Sequence, residues 1–121
     1  PDVLAIFGYM DAASVRVEGL TLDATSIAIG GEISFSFTVS VAEATKLRLE
    51  YGVDYMKANG KRNRKIFKIS EIAMKGKQQK TYIKKHSFAN VSTRKHYPGT
   101  HSITLIVNGA ERGRVDFELT E

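Results

Sequence analysis

Apolar residues recur at every second position through most of this chain, and that period decides the fold class. Ile33, Phe35, Phe37, Val39 and Val41 alternate with Ser34, Ser36, Thr38 and Ser40. Successive side chains of an extended strand point to opposite faces, so this run places its apolar groups on one face and its hydroxyls on the other. Leu47, Leu49, Tyr51, Val53 and Tyr55 alternate in the same way with Arg48, Glu50, Gly52 and Asp54. So do Ile103, Leu105 and Val107, and then Val115, Phe117 and Leu119. Weaker runs of the same kind cover 14–21, 65–70 and 81–88, which brings the expectation to seven short strands. Helical spacing is hard to find, and no internal repeat or low-complexity tract interrupts the pattern.

The turn residues fall between these runs. Gly30-Gly31 precedes the second strand, Asn59-Gly60 follows the third, and Gly76 separates the fourth from the fifth. Asn108-Gly109 stands between the last two runs and readily takes the positive φ angles of a tight hairpin, so these two strands should pair directly. Two patterned sheets facing each other give an all-β, immunoglobulin-like or fibronectin-like antiparallel β-sandwich of about seven strands. Tyr97-Pro98-Gly99, just before the penultimate strand, sits where such folds place a corner tyrosine. With 121 residues there is room for one core. The sandwich is expected over residues 13–121. Residues 1–12, which begin with Pro1 rather than Met, read as a linker from a missing N-terminal domain.

Composition narrows the function classes. No apolar run approaches the roughly 20 residues of a membrane-spanning helix, and the short stretch from Val3 to Met10 has no basic flank of the kind a signal peptide carries. No membrane partner is therefore expected. The absence of cysteine removes disulfide scaffolds and thiol chemistry, and a cytoplasmic location is the expectation. The three histidines, His86, His96 and His101, have no acid near them in sequence, since the stretch 72–110 contains none. A metal site, a cofactor and a catalytic set are accordingly not expected, and the chain by itself is not read as an enzyme. Gly30-Gly31 lacks the spacing of a phosphate-cradling loop.

Charge is the informative feature. The chain carries 18 Lys and Arg against 13 Asp and Glu, a formal net charge of +5. Between Lys57 and Lys95 thirteen bases face one acid, Glu71, so this segment holds +12 while the remaining 82 residues sum to −7. Like charges gathered in this way repel one another unless an anionic partner relieves them. Lys61-Arg62-Asn63-Arg64-Lys65 lies at a hairpin tip, and Lys84-Lys85-His86 and Arg94-Lys95-His96-Tyr97 follow in the next strand and loop. Arginine forks, lysine point charges and neutral donors such as Asn63, Asn90, Ser92 and Thr93 are what phosphate contacts are made from. A solubilising surface is the plainer alternative, and membrane headgroups or an acidic protein would also satisfy such a face. Tyr82, Phe88 and Tyr97 are interleaved with the charges and either stack on bases or belong to the core.

Two stretches carry a resemblance. Tyr55-Met56-Lys57-Ala58-Asn59-Gly60-Lys61 with Lys65-Ile66-Phe67-Lys68 is the first. Lys85-His86-Ser87-Phe88 with Thr93-Arg94-Lys95-His96-Tyr97-Pro98-Gly99-Thr100-His101 is the second, and Ile106-Val107-Asn108-Gly109 suits the same pattern. Over roughly 13–120 the chain resembles the C-terminal immunoglobulin-like domain of one branch of the bacterial DNA alkylation repair proteins. These are alkylpurine (3-methyladenine) DNA glycosylases built from HEAT-like helical repeats. The resemblance implies a noncatalytic domain that contacts the phosphate backbone of double-stranded DNA while the N-terminal helical-repeat domain hydrolyses the N-glycosidic bond of an alkylated purine.

Under that resemblance the DNA contacts would be Lys57, Asn59, Lys61, Lys65, Lys68, Lys85, His86, Arg94, Lys95 and His96. Arg62, Arg64 and Lys84 join them from the charge pattern alone, and Tyr97, Pro98 and Gly99 would be fold residues. Arg62, Arg64 and Gln78-Gln79 depart from the family's pattern. The alternative is an immunoglobulin-like interaction module whose basic face docks on an acidic protein surface.

Overall fold

The computed structural model describes residues 15–90 and 95–121. Eight strands follow in order: β1 (Val15–Leu22), β2 (Ser26–Ala28), β3 (Glu32–Val41), β4 (Thr45–Met56), β5 (Arg62–Met74), β6 (Gln78–Ser87), β7 (Gly99–Val107) and β8 (Ala110–Thr120). They form a three-stranded sheet in the order β1-β3-β6 and a five-stranded sheet in the order β2-β8-β7-β4-β5. All pairings are antiparallel except that of β2 with β8. The all-β sandwich is as expected, but with eight strands where seven were predicted. The extra one is β2, whose three residues bury part of a single apolar side chain, Ile27, and are too few to show a period. The expected linker at 1–12 and the candidate Arg94 lie outside the described residues.

The alternation that announced the strands is the alternation of burial. Ile33, Phe35, Phe37, Val39 and Val41 from β3 face Leu47, Leu49, Tyr51, Val53 and Tyr55 from β4, all of them buried. Ile103, Leu105, Val107, Phe117 and Leu119 complete the core from β7 and β8. Each large apolar side chain taken fully out of water contributes roughly 1.5–3 kcal/mol, so this shared face is the main stabilising term. The Phe35 and Tyr51 rings meet edge-on across the two sheets at 4.9 Å.

The β7–β8 hairpin turns through Asn108 (φ 49°) and Gly109 (φ 83°), the left-handed pair that a two-residue hairpin requires. Asn108 also fixes the neighbouring strand, its Oδ1 accepting from the Arg48 amide at 2.8 Å. β5 and β6 are the outermost strands of their sheets on one side of the sandwich, joined by the turn at 75–77. There Gln78 Oε1 accepts from the Lys75 amide at 2.8 Å, and the Lys77 amide donates to the Ala42 carbonyl at 3.2 Å.

Candidate nucleic-acid interface

The candidate residues sort into three groups. The first sits at one end of the sandwich, where β4 turns into β5. The Lys57 amide donates to the Lys61 carbonyl at 2.8 Å, Gly60 takes φ 79°, and Asn59 Oδ1 accepts from the Lys61 amide at 3.0 Å. Asn59 thus shapes the tip that exposes Lys61. Lys57 Nζ lies 5.8 Å from the centre of the Tyr55 ring. Arg62 donates to the Thr100 carbonyl at 2.9 Å, which ties the start of β5 to β7.

The end of β6 arrives at the same place. His86 reaches Tyr51 and Tyr55 of β4; of the two lysines before it, Lys84 lies on the inward row opposite Phe35 and Lys85 on the outer row opposite Ser34. Lys95 follows on the segment leading into β7, with Nζ 5.8 Å from the Tyr97 ring centre. Among the described acids, none forms an ion pair with Lys57, Lys61, Arg62, Lys65, Lys84, Lys85 or Lys95. These cations keep their charge available to an anion from outside.

The second group has internal partners. Arg64 lies across three strands of the five-stranded sheet. Its Nε donates to Asp54 Oδ1 at 2.8 Å, one terminal nitrogen to Asp54 Oδ2 at 3.2 Å, and the other to Glu111 Oε2 at 3.1 Å. Gly52 makes room, because a Cβ there would stand 3.1 Å from Arg64 Cδ. The Arg64 hydrogen bond holds the Asp54 carboxyl below its usual range and raises the guanidinium in turn. Lys68 pairs with Glu71 at 3.7 Å in the middle of β5 and does not join the basic end.

The whole outer face of this sheet follows the same plan. Arg48, Arg64, Lys68 and Arg114 are paired there with Glu50, Asp54, Glu111, Glu71 and Asp116, and Lys46, Arg62 and Glu118 lie on the same face. Ser102 donates to Asp116 at 2.6 Å and, with Arg114, keeps that carboxyl below its ordinary value. These charged side chains roof over Ser102 and Thr104, which point outward yet are fully buried.

The third group is interior. His86 is buried between the sheets, with Nδ1 3.0 Å from the Tyr51 hydroxyl and Nε2 2.7 Å from that of Tyr55. A neutral imidazole offers one donor and one acceptor, so one tyrosine donates and the other accepts. His96 is buried as well, its ring centre 5.5 Å from Tyr55 and 5.1 Å from Phe88. Both histidines pack in the core rather than on the surface. Phe88 is fully buried, and Tyr82 stacks on Phe37 at 5.4 Å. At the expected tyrosine corner the tie runs through the backbone, from His101 Nε2 to the Tyr97 carbonyl at 2.9 Å. Among the described residues no group of His, Asp and Glu is arranged to hold a metal ion, and no helix is long and apolar enough to cross a membrane.

Two facing sheets of this topology define an immunoglobulin-like domain. Residues 16–121 match the family "Uncharacterised protein YhaZ, C-terminal Ig-like domain", and the chain belongs to that family. It is 39% identical over 116 residues to YhaZ of Bacillus subtilis (strain 168), covering 96% of this chain and 32% of that protein. It is also similar to the alkylpurine DNA glycosylase AlkC of Pseudomonas fluorescens, solved bound to DNA containing an abasic site analog. That match has a TM-score of 0.88 at 31% identity, covering 98% of this chain and 33% of AlkC. A β-glucosidase from Listeria innocua shares the fold alone, with a TM-score of 0.72 at 13% identity over 88% of this chain and 16% of that one. The chain spans about a third of the length of YhaZ and of AlkC.

Proposed function

We propose that this domain is the noncatalytic DNA-binding part of an alkylpurine DNA glycosylase. The observation that carries this reading is the similarity to AlkC over 98% of the chain, AlkC having been solved on DNA. The charge pattern supports it, since Lys57, Lys61, Arg62, Lys65, Lys84, Lys85 and Lys95 form no ion pair with a described acid, and we take them as one basic end. Arg94, inside the acid-free stretch 72–110 and beside Lys95 in sequence, is proposed to join them. Their part is to neutralise backbone phosphates, releasing condensed counterions and holding the duplex without reading its sequence.

Asn59 acts by shaping the tip, and Arg64 and Lys68 act mainly within the sheet. His86 and His96 support the surface from beneath. Base excision, the hydrolysis of the N-glycosidic bond of an alkylated purine, is assigned to a HEAT-like helical-repeat domain outside this chain, and no residue of the sandwich is given a catalytic role.

The test is fluorescence anisotropy of a short labelled duplex titrated at several salt concentrations. Binding should weaken with salt at about −0.9 in log K per log salt for each neutralised phosphate, for roughly four to six contacts. A variant with Lys61, Lys65, Lys84 and Lys85 changed to Gln should bind more weakly and with a shallower slope. Absence of binding at high micromolar protein and low salt would instead favour an interaction module that docks on an acidic protein.

A further inference from the structure

The two segments that carry the basic end are held together by one buried side chain. His101, on β7, is fully buried. Its Nε2 lies 2.9 Å from the Tyr97 carbonyl, which can only accept, so Nε2 carries the proton. Its Nδ1 then has an open lone pair, and the Met56 amide donates to it at 3.4 Å. Met56 is the last residue of β4 before the Lys57–Lys61 tip, and Tyr97 closes the segment that bears Lys95. Gly99 brings the same two segments into contact, since a Cβ there would stand 3.0 Å from Met56 Cγ. The ring is fixed on its other sides by Phe117, stacked at 5.9 Å, and by Phe88 and Tyr55, edge-on at 5.6 and 6.1 Å.

We infer that His101 is a positioning residue of the DNA interface: its neutral imidazole clamps the Lys57–Lys61 tip to the Lys95 segment, and charging the imidazole opens the clamp. The inference rests on the DNA-binding reading above. A second proton on the ring would turn Nδ1 into a donor facing the Met56 N–H, replacing an attraction with a repulsion. The surroundings resist that proton. Burial lowers the affinity of the imidazole for it, and Arg62 and Lys57 act in the same direction. The Tyr97 carbonyl and Glu118 oppose them. His86 and His96 share the aromatic cluster through Tyr55 and Phe88, so a charge on either would add to the resistance. At neutral pH the clamp is therefore closed, and it opens below the ordinary imidazole range.

The sign of the pH effect separates this role from a direct contact. A histidine that touched phosphate would strengthen DNA binding as it became charged. A histidine that holds two lysine-bearing segments in register through a lone pair weakens binding on the same change.

The experiment measures duplex affinity of the chain at pH 7.5 and pH 5.0, at one salt concentration, for wild type, His101→Gln and His101→Phe. Amide exchange of Met56 is followed by NMR in parallel. Gln keeps one donor and one acceptor without a titrating group, while Phe keeps the ring packing and removes both hydrogen bonds. Wild type should lose affinity several-fold on acidification, with Met56 exchange rising in step. His101→Gln should bind at pH 7.5 within about threefold of wild type and show a smaller acid loss. His101→Phe should bind about tenfold more weakly at both pH values. Wild-type binding that strengthens on acidification, or an acid loss that His101→Gln shares in full, overturns the clamp. Failure of wild type to bind DNA at pH 7.5 overturns the DNA-binding reading and, with it, the interface role of His101, and the Met56 exchange then reports whether the hydrogen-bonded link itself exists.

Discussion

Arg64 shows why a basic residue in a basic segment need not serve an external anion. Its fork spans Asp54 and Glu111, and Asp54 is nearly buried beneath it. Arg64→Met would keep most of the apolar stem over Gly52 and strand the Asp54 carboxylate. Charge-assisted hydrogen bonds contribute more than neutral ones, and partial exposure discounts them, so the expected loss is about 1–2 kcal/mol in denaturant unfolding. The pH dependence has a definite sign. Asp54 has a depressed carboxyl, so its contribution is complete at neutral pH and is lost as pH falls below the ordinary value of 3.8 toward the folded one. Arg64→Met should remove that part of the acid slope while leaving DNA affinity close to wild type. An affinity loss equal to that of Lys61→Gln would put Arg64 on the phosphate instead. His101 has the matching argument for a base: with its affinity for the proton lowered by burial, it stabilises the fold above the ordinary 6.5 and destabilises it progressively below. His101→Gln should therefore flatten the fall in Tm between pH 7 and pH 5.

Among the elements, the strands with an unbroken period were the legible ones. β3 and the core half of β4 bury every second residue, and their alternation survives in the sequence without interruption. β5 runs from Arg62 to Met74, whereas only its middle, 65–70, showed a strand pattern. The reason is a bulge: Glu50 pairs with Lys68 but Leu49 with Ser70, which leaves Ile69 as an extra residue and shifts the apolar phase from Phe67 to Ile72 and Met74. The site was legible as charge and not as geometry. No spacing told that Arg64 would find Asp54 ten residues back across a hairpin, or that His86 and His96 would turn inward, because both outcomes depend on cross-strand register. β6 adds a physical role for part of the charge. As the outermost strand it sets Lys80 opposite Val39 and Lys84 opposite Phe35, on the row that otherwise carries Tyr82 and His86. Charges on the inward row of an edge strand prevent another chain from adding to it. Lys80→Val combined with Lys84→Val should leave the fold intact and make the domain self-associate, read as light scattering that rises with concentration. A variant that remains monomeric at high concentration would show that these lysines guard nothing.

At the scale of the whole molecule, the sequence segment with its +12 charge does not form one continuous patch. β5 is 13 residues long, so the tip at 57–61 and the turn at 75–77 are separated by about 40 Å at the usual strand rise. Lys75 and Lys77 belong to that far turn, and the charge-balanced face of the five-stranded sheet lies between strands rather than at either end. A Debye length of about 8 Å at physiological salt leaves the two ends electrically independent. The number of phosphates neutralised should therefore depend on one end and hardly on the other. Changing Lys57, Lys61, Lys84 and Lys85 to Gln should reduce the magnitude of the salt slope by roughly 3 to 4, at about 0.9 per lost contact. Changing Lys75 and Lys77 to Gln removes two exposed charges from the same segment and should leave the slope within about half a unit of wild type. Equal losses per charge at the two ends would mean that the domain attracts DNA by net charge alone, with no interface at the tip. A loss confined to the far turn would move the interface to the opposite end of the sandwich, away from the His101 clamp.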